Sequence, residues 1–262
     1  MLFFPNAKIN IGLNIVSKRE DGYHNLETIF YPIGWKDVLE IIPSSSPGFC
    51  CTGIAVDGGE NLCEKALKLL KAEYDIPDVF IHLHKNIPTG AGLGGGSSDA
   101  AFTLMGLNQQ FNLGISNEEL KSYALRLGAD CPFFIKNTPS FAGGIGEELV
   151  PVNLDLKGYY LVVVKSDIFV SSSEAFSGVT PKQSSISLID EIQKPLSDWR
   201  LKNDFEDSIF EHHPKLSAIK NILSGAGATY TSMSGSGSSI YGIFSSIPTL
   251  SFTDEVVFYQ QL

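Results

Sequence analysis

The chain has 262 residues, 43% of them hydrophobic and 18% charged, which suits a folded globular protein of one large or two modest domains. Acidic residues outnumber basic ones by 29 to 19, a formal net charge of −10, and no basic stripe is present, so a nucleic-acid partner is not expected. No apolar run nears the roughly 18 residues of a membrane span. The opening MLFFPNAKIN has no basic lead and is broken by Pro5, so neither membrane insertion nor secretion is expected.

In chain order, Ala7 to Val16 alternates (Ile9, Ile11, Leu13, Ile15) and predicts a strand with Lys8, Asn10 and Asn14 on its other face. A turn at KREDGY leads to a second strand over Leu26 to Ile33 and a third around Val38 to Ile42, followed by a loop over Ser44 to Gly48. Asn61 to Tyr74 predicts a helix with Leu62, Ala66, Leu69 and Leu70 on one face and Asn61 as its N-cap. The four cysteines (Cys50, Cys51, Cys63 and Cys131) form no C-x-x-C pair, so free thiols in a reducing cytoplasm are expected, without zinc or disulfides.

A strand over Val79 to Leu83 then meets PTGAGLGGGSSDAA, Pro88 to Ala101, with five glycines between Thr89 and Ser97. Gly90, Gly92, Gly94, Gly95 and Gly96 lack Cβ atoms, so this loop reaches left-handed angles and brings its N–H groups close to a ligand. A helix follows, and the unpaired N–H groups and dipole at a helix start favour a phosphate. Ser97, Ser98 and Asp99 are expected to cap that helix, with a hydroxyl available to a metal ion. The P-loop pattern G-x-x-x-x-G-K-[ST] is not met, because no lysine precedes Ser97. A dinucleotide fingerprint is not met either, because the glycines are too dense and lie too far along the chain.

Further on, Ser116 with Glu119 predicts a capping box for a helix ending at Leu127 and Gly128. GADCPFFI is expected to be a turn into an apolar segment, and GGIGEELVPV a hairpin. Tyr159 to Lys165 predicts a strand, and helices are expected over Ile186 to Gln193, Asp204 to Phe210 and Pro214 to Ser224. Two strands flank SGSGSS. Composition changes near Val150 to Lys157, where a domain boundary is expected. Strands and helices mix without a βαβα rhythm, which predicts an α+β fold.

Three separated motifs, PNAKINIGL (Pro5 to Leu13), PTGAGLGGGSSDAA and SMSGSGSSIYGIF (Ser232 to Phe244), resemble those of the GHMP kinases. DGYHNLET (Asp21 to Thr28), LGADCPFF, GIGEEL and NDFE (Asn203 to Glu206) resemble the branch of that family acting on 4-diphosphocytidyl-2-C-methyl-D-erythritol (CDP-methylerythritol) in the non-mevalonate route to isoprenoids. The resemblance implies a two-domain fold. Residues 1–152 would form the N-terminal ATP-binding domain, with a mixed sheet and helices, and 153–262 a C-terminal ferredoxin-like substrate domain. The last residues, SFTDEVVFYQQL, depart from it, being short and poor in helix pattern.

The same resemblance implies ATP and Mg²⁺ as cofactors and a small-molecule substrate, in a monomer or homodimer. It assigns Pro88, Thr89, Gly90, Ala91, Gly92, Leu93, Gly94, Gly95, Gly96, Ser97 and Ser98 to the phosphates, with Ser97 also facing the metal. Asn61, Leu62 and Lys85 match positions lining the adenine pocket, although an N-cap, a core leucine and a solvated strand end are equally open for them. Gly235, Ser236 and Gly237 match a third loop near the phosphates, or form a tight hairpin.

Asp130 is implied as the group that accepts or orients the hydroxyl proton, against a plain helix cap, and Lys8 as its cationic partner, against a surface lysine. Tyr23 and His24 are implied to hold the cytosine by stacking and hydrogen bonding. Phe176 is implied as a second ring on the base, and Asn10 as a contact to the diphosphate or sugar alcohol. Two other readings stay open: a homoserine- or mevalonate-type kinase, which would not need the DGYH pair, and a non-catalytic nucleotide-binding module.

Overall fold

The alternation of Asn6–Lys18 does form a strand, but one whose polar residues are buried as thoroughly as its apolar ones. Ala7, Ile9 and Ile11 are fully enclosed, and so nearly are Lys8, Asn10 and Asn14. Buried polar side chains have to be hydrogen-bonded or paired, so this strand already points to a site. These features come from a computed structural model that describes residues 1–56 and 59–262.

Its elements run β1 (Leu2–Phe3), β2 (Asn6–Lys18), β3 (His24–Lys36), β4 (Val38–Pro43), β5 (Gly48–Gly53), α1 (Leu62–Lys71), β6 (Val79–Lys85), α2 (Gly95–Phe111), α3 (Asn117–Leu127), α4 (Cys131–Lys136), β7 (Ser140–Gly143), β8 (Glu148–Pro151), β9 (Tyr160–Lys165), α5 (Ser172–Ser177), α6 (Leu188–Glu191), α7 (Glu206–His212), α8 (Pro214–Gly225), β10 (Tyr230–Met233), β11 (Ile240–Phe244) and β12 (Val256–Gln261). The chain divides into two compact units. The first comprises Met1–Lys8, Pro32–Thr89 and Gly94–Thr138, and the second Ile9–Tyr31, Gly90–Leu93 and Pro139–Leu262.

In the first unit a mixed sheet has the order β1-β4-β6-β5, with β4 antiparallel to β1 and β6, and β5 parallel to β6. Helix α2 packs on β4, α1 and α4, and α3 packs on α4. Leu39, Ile41, Ile81 and Leu83 from the sheet and Leu70, Leu104 and Leu107 from the helices are buried in this core. In the second unit an antiparallel sheet has the order β10-β11-β9-β12. Its central strands β9 and β11 are almost wholly apolar, as strands covered on both faces must be. Helix α8 lies on β10 and β11, and Val162, Val164, Ile209, Leu216, Ile219 and Ile240 fill one cluster. The parts of β2 and β3 in this unit extend into a sheet with β7 and β8, in which Ile29 faces Phe141.

Several local expectations change. Helix α2 begins at Gly95, with Gly94 at its N-cap, so Ser97, Ser98 and Asp99 lie inside the helix and do not cap it. GADCPFFI does turn at Ala129 and Asp130, and its apolar segment is the short helix α4, with Pro132 in the first turn. Gly48–Gly53 forms the edge strand β5, and the C-terminal Val256–Gln261 pairs with β9 as β12.

Candidate active site

The glycine-rich loop is shaped by positive φ angles at Gly90, Gly92 and Gly94. Two of these glycines have no alternative. A Cβ on Gly92 would lie 1.9 Å from the carbonyl oxygen of Ser234. A Cβ on Gly94, at φ +68°, would press on Phe134 at 3.0 Å and on the Lys8 side chain at 3.1 Å. Helix α2 therefore starts without any side chain over its first amides, and no side chain caps them. Uncapped N–H groups beside the positive end of a 17-residue helix favour an anion. The Ser97 hydroxyl is half-buried, and burial pushes the pKa of the Cys131 thiol up to about 12. Ser98 Oγ and Asp99 Oδ1 are buried and have no hydrogen-bond partner.

Lys8 and Asp130 come together in the first unit. The Lys8 ammonium is 3.2 Å from Asp130 Oδ2, with the lysine side chain 4% exposed and the aspartate 34%. Asp130 stands at the N-cap of α4 yet makes no capping bond, so its carboxylate is free to face Lys8. The cap and surface-lysine alternatives are both excluded by this geometry. Because Lys8 also lies against Gly94, its charge is held at the mouth of helix α2.

Lys85 is no solvated strand end. Its side chain is 2% exposed, pairs with Asp37, and donates to Asp99 Oδ2 at 2.8 Å. Burial alone would lower its pKa, but Asp99 and Asp37 together hold it above the ordinary lysine value. Burial and the nearby Asp37 raise the Asp99 carboxyl to about 7 against the pull of Lys85. Asp37 Oδ1 in turn accepts from the N–H groups of Asn86 and Ile87, at 2.6 and 2.8 Å. The trio fastens the N-terminal part of α2 to the end of β6. Sequence reasoning missed Asp37, which lies just before the predicted third strand and between two strand segments.

Asn61 does cap α1. Its Oδ1 accepts from Cys63 N at 2.9 Å and Glu64 closes the capping box. Leu62 lies beside the start of α2, 3.7 Å from where a Cβ on Gly96 would be. Pro88 and Thr89 precede the loop as the last residues of their segment of the first unit, while Gly90, Ala91, Gly92 and Leu93 group with the second.

In the second unit the predicted base-binding residues gather at the start of β3. Tyr23 is 61% exposed, its backbone held by Asp21 and Arg19. The His24 and Phe176 rings stack directly, 4.8 Å apart at 15°. Asn10 donates from Nδ2 to Thr28 Oγ1 at 3.1 Å, and its backbone N–H reaches Ser234 Oγ at 3.2 Å. Gly235, Ser236 and Gly237 form a tight turn between β10 and β11, closed by Gly237 N–H donating to Ser234 O at 3.0 Å. That turn is also tied to the glycine-rich loop, since Ser234 Oγ donates to Gly92 O at 2.7 Å and Ser239 N–H to Ala91 O at 3.2 Å.

Residues 61–137 match the family described as GHMP kinases N terminal domain, and residues 186–248 match GHMP kinases C terminal. A "4-diphosphocytidyl-2-C-methyl-D-erythritol kinase" of Parabacteroides distasonis is 55% identical over 248 residues, covering 93% of this chain and 92% of the relative. One of the same name from Bacteroides thetaiotaomicron is 50% identical and covers 97% of this chain and 96% of its own. A crystal structure of 4-(cytidine 5'-diphospho)-2C-methyl-D-erythritol kinase superposes with a TM-score of 0.78 at 33% identity, covering 93% of this chain and 90% of the other. A homoserine kinase from Cytophaga hutchinsonii, at 17% identity and a TM-score of 0.65, shares the fold alone, covering 92% of this chain and 86% of the other.

The chain thus belongs to the GHMP kinases, and within them to the family of its 4-diphosphocytidyl-2-C-methyl-D-erythritol kinase relatives. Among the described residues, no helix is long and apolar enough to cross a membrane.

Proposed function

We propose that this protein transfers the terminal phosphoryl group of ATP to the 2-hydroxyl of CDP-methylerythritol in the cytoplasm, releasing ADP. The observation that carries this reading is Lys8, whose ammonium is fixed 3.2 Å from the Asp130 carboxylate while its carbon stem lies against Gly94 at the open end of α2. A cation and a base side by side at an anion-binding helix start are what phosphoryl transfer to an alcohol requires.

In this reading the amides following Gly94 hold the triphosphate, and Leu62 and Asn61 border the adenine. Lys85 acts on the nucleotide indirectly, by fixing the N-terminal part of α2 through Asp99. Lys8 stabilises the negative charge spread over the transferring group. Asp130 accepts the proton of the 2-hydroxyl, or orients it, as that oxygen bonds to phosphorus. Tyr23, His24 and Phe176 take the cytosine, and Asn10 the diphosphate or sugar alcohol.

The donor set at the first turn of α2 fits a hard cation that enters with the nucleotide. Ser97 and Ser98 offer hydroxyls, two buried oxygens there lack partners, and the described residues hold no cluster of three acidic, histidine or cysteine ligands. Bound there by Ser97 and the phosphates, Mg²⁺ would neutralise charge on the polyphosphate.

A coupled ADP-release assay offering CDP-methylerythritol, mevalonate and homoserine in parallel tests the reading. Turnover with CDP-methylerythritol is expected to exceed the other two by at least about 10⁴-fold, as directed hydrogen bonding to a base allows. Turnover with mevalonate or homoserine alone would overturn the substrate assignment and spare the fold.

A further inference from the structure

No residue of the NDFE segment is itself assigned to substrate, yet all four side chains are held by specific contacts. Asn203 is 3% exposed and spends both amide hydrogens on backbone carbonyls, Met233 O at 2.9 Å and Gly235 O at 2.8 Å, while its Oδ1 accepts from Phe205 N. Asp204 accepts from Ile15 N at 2.8 Å, and the backbone bonds Leu13 N to Lys202 O and Asp204 N to Leu13 O lay the segment along β2. Glu206 accepts from Met233 N at 2.7 Å and Ser232 Oγ at 3.2 Å, and pairs with Lys220. The Phe205 ring, 2% exposed, meets Phe176 edge-on, 4.9 Å away at 85°.

Each contact reaches a different part of the binding apparatus. Phe176 is the ring on which His24 stacks, so Phe205 stands behind the stacked pair and fixes its tilt. The Gly235 carbonyl belongs to the peptide that carries the Ser236 N–H. In a trans peptide those groups point opposite ways, so holding the carbonyl with Asn203 aims the N–H to the other side. Ser234, in the same turn, is bonded to Gly92 O and Asn10 N.

We infer that Asn203–Glu206 is a positioning segment for both substrate moieties, with Phe205 seating the rings that take the cytosine and Asn203 orienting the Ser234–Gly237 turn toward phosphate. The inference rests on the cytidyl-alcohol kinase reading above.

The test compares Phe205→Leu and Asn203→Asp in the full chain, with Ile41→Ala as a core variant in the first unit, outside the cluster that holds Phe205. Steady-state kinetics, CDP binding by calorimetry and Tm are measured for each. Phe205→Leu keeps an apolar side chain but removes the ring edge, so KM for the cytidyl substrate and Kd for CDP are expected to rise about tenfold, with KM for ATP changed less than about twofold. Asn203→Asp is isosteric but turns a carboxylate on two carbonyls, so kcat is expected to fall about 100-fold with Kd for CDP nearly unchanged.

Matching effects of the two variants on kcat and KM, or effects that scale only with the Tm loss of Ile41→Ala, would overturn the inference. Should Asn203→Asp not fold, an unchanged CDP affinity in Phe205→Leu overturns it alone. A wild-type chain that binds ATP but not CDP would overturn the substrate reading instead.

Discussion

Lys8 illustrates how a single residue changes meaning once its surroundings are known. A buried ammonium is costly unless it is paired, and here its partner is a carboxylate that forgoes its helix-capping position. Lys8→Met is expected to lower kcat by about 10²- to 10³-fold while KM for either substrate moves little, because the charge acts on the transition state. Asp130→Asn is expected to lower kcat by about 10²- to 10⁴-fold, with some loss of Tm because the buried Lys8 ammonium loses its carboxylate. A change confined to KM in Lys8→Met, or near-normal turnover in Asp130→Asn, contradicts the assignment. Lys85 differs in kind: it serves the fold. Lys85→Met leaves Asp37 and Asp99 facing each other without a cation, and a loss of about 3–5 kcal/mol is expected in denaturant unfolding.

At the scale of elements, the glycine-rich loop depends on bare backbone. Gly92→Ala is expected to cost several-fold in kcat and lower Tm, because its Cβ meets the Ser234 carbonyl and not a movable side chain. Gly96→Ala, whose Cβ meets only Leu62 at 3.7 Å, is expected to be nearly silent in Tm. A reversed order in thermal melts would contradict the close approach of the two loops.

The loop was legible in the sequence because its glycines and serines are contiguous, and the Ser116 capping box because its two halves are three residues apart. The start of α2 was not, since glycine favours no helix and only packing against Ile87 and Lys85 makes Gly95 a good first residue. Strand β5 was missed because FCCT lies exposed at a sheet edge and shows no alternation. The contacts of Asp37, and those of Asn203 and Phe205 within the NDFE motif, were not legible for another reason: their partners lie some 30 to 50 residues away along the chain.

For the whole molecule, the sequence reading cuts the chain once at 152/153, whereas the compact units interleave, with 9–31 grouped with 139–262. Stability is coupled to pH through the first of these units. Asp99 has its folded pKa raised from 3.8 to about 7, so between those values the folded state binds more protons than the unfolded one. The contribution of this group is therefore full below about 4 and is lost as pH rises to about 7. Thermal melts of the wild type are expected to show that decline, and Asp99→Asn to lack it. A wild-type Tm that rises from this group over the same range would contradict the sign.

The central claim is that this chain phosphorylates the 2-hydroxyl of a CDP-linked sugar alcohol. Phosphorus NMR of a reaction with ATP and CDP-methylerythritol tests it most directly. The account predicts a new phosphomonoester resonance coupled to the carbon bearing that oxygen, with the cytidyl diphosphate intact and one ADP formed per monoester. Inorganic phosphate in place of the monoester, or a phosphoryl group on another oxygen, would contradict it.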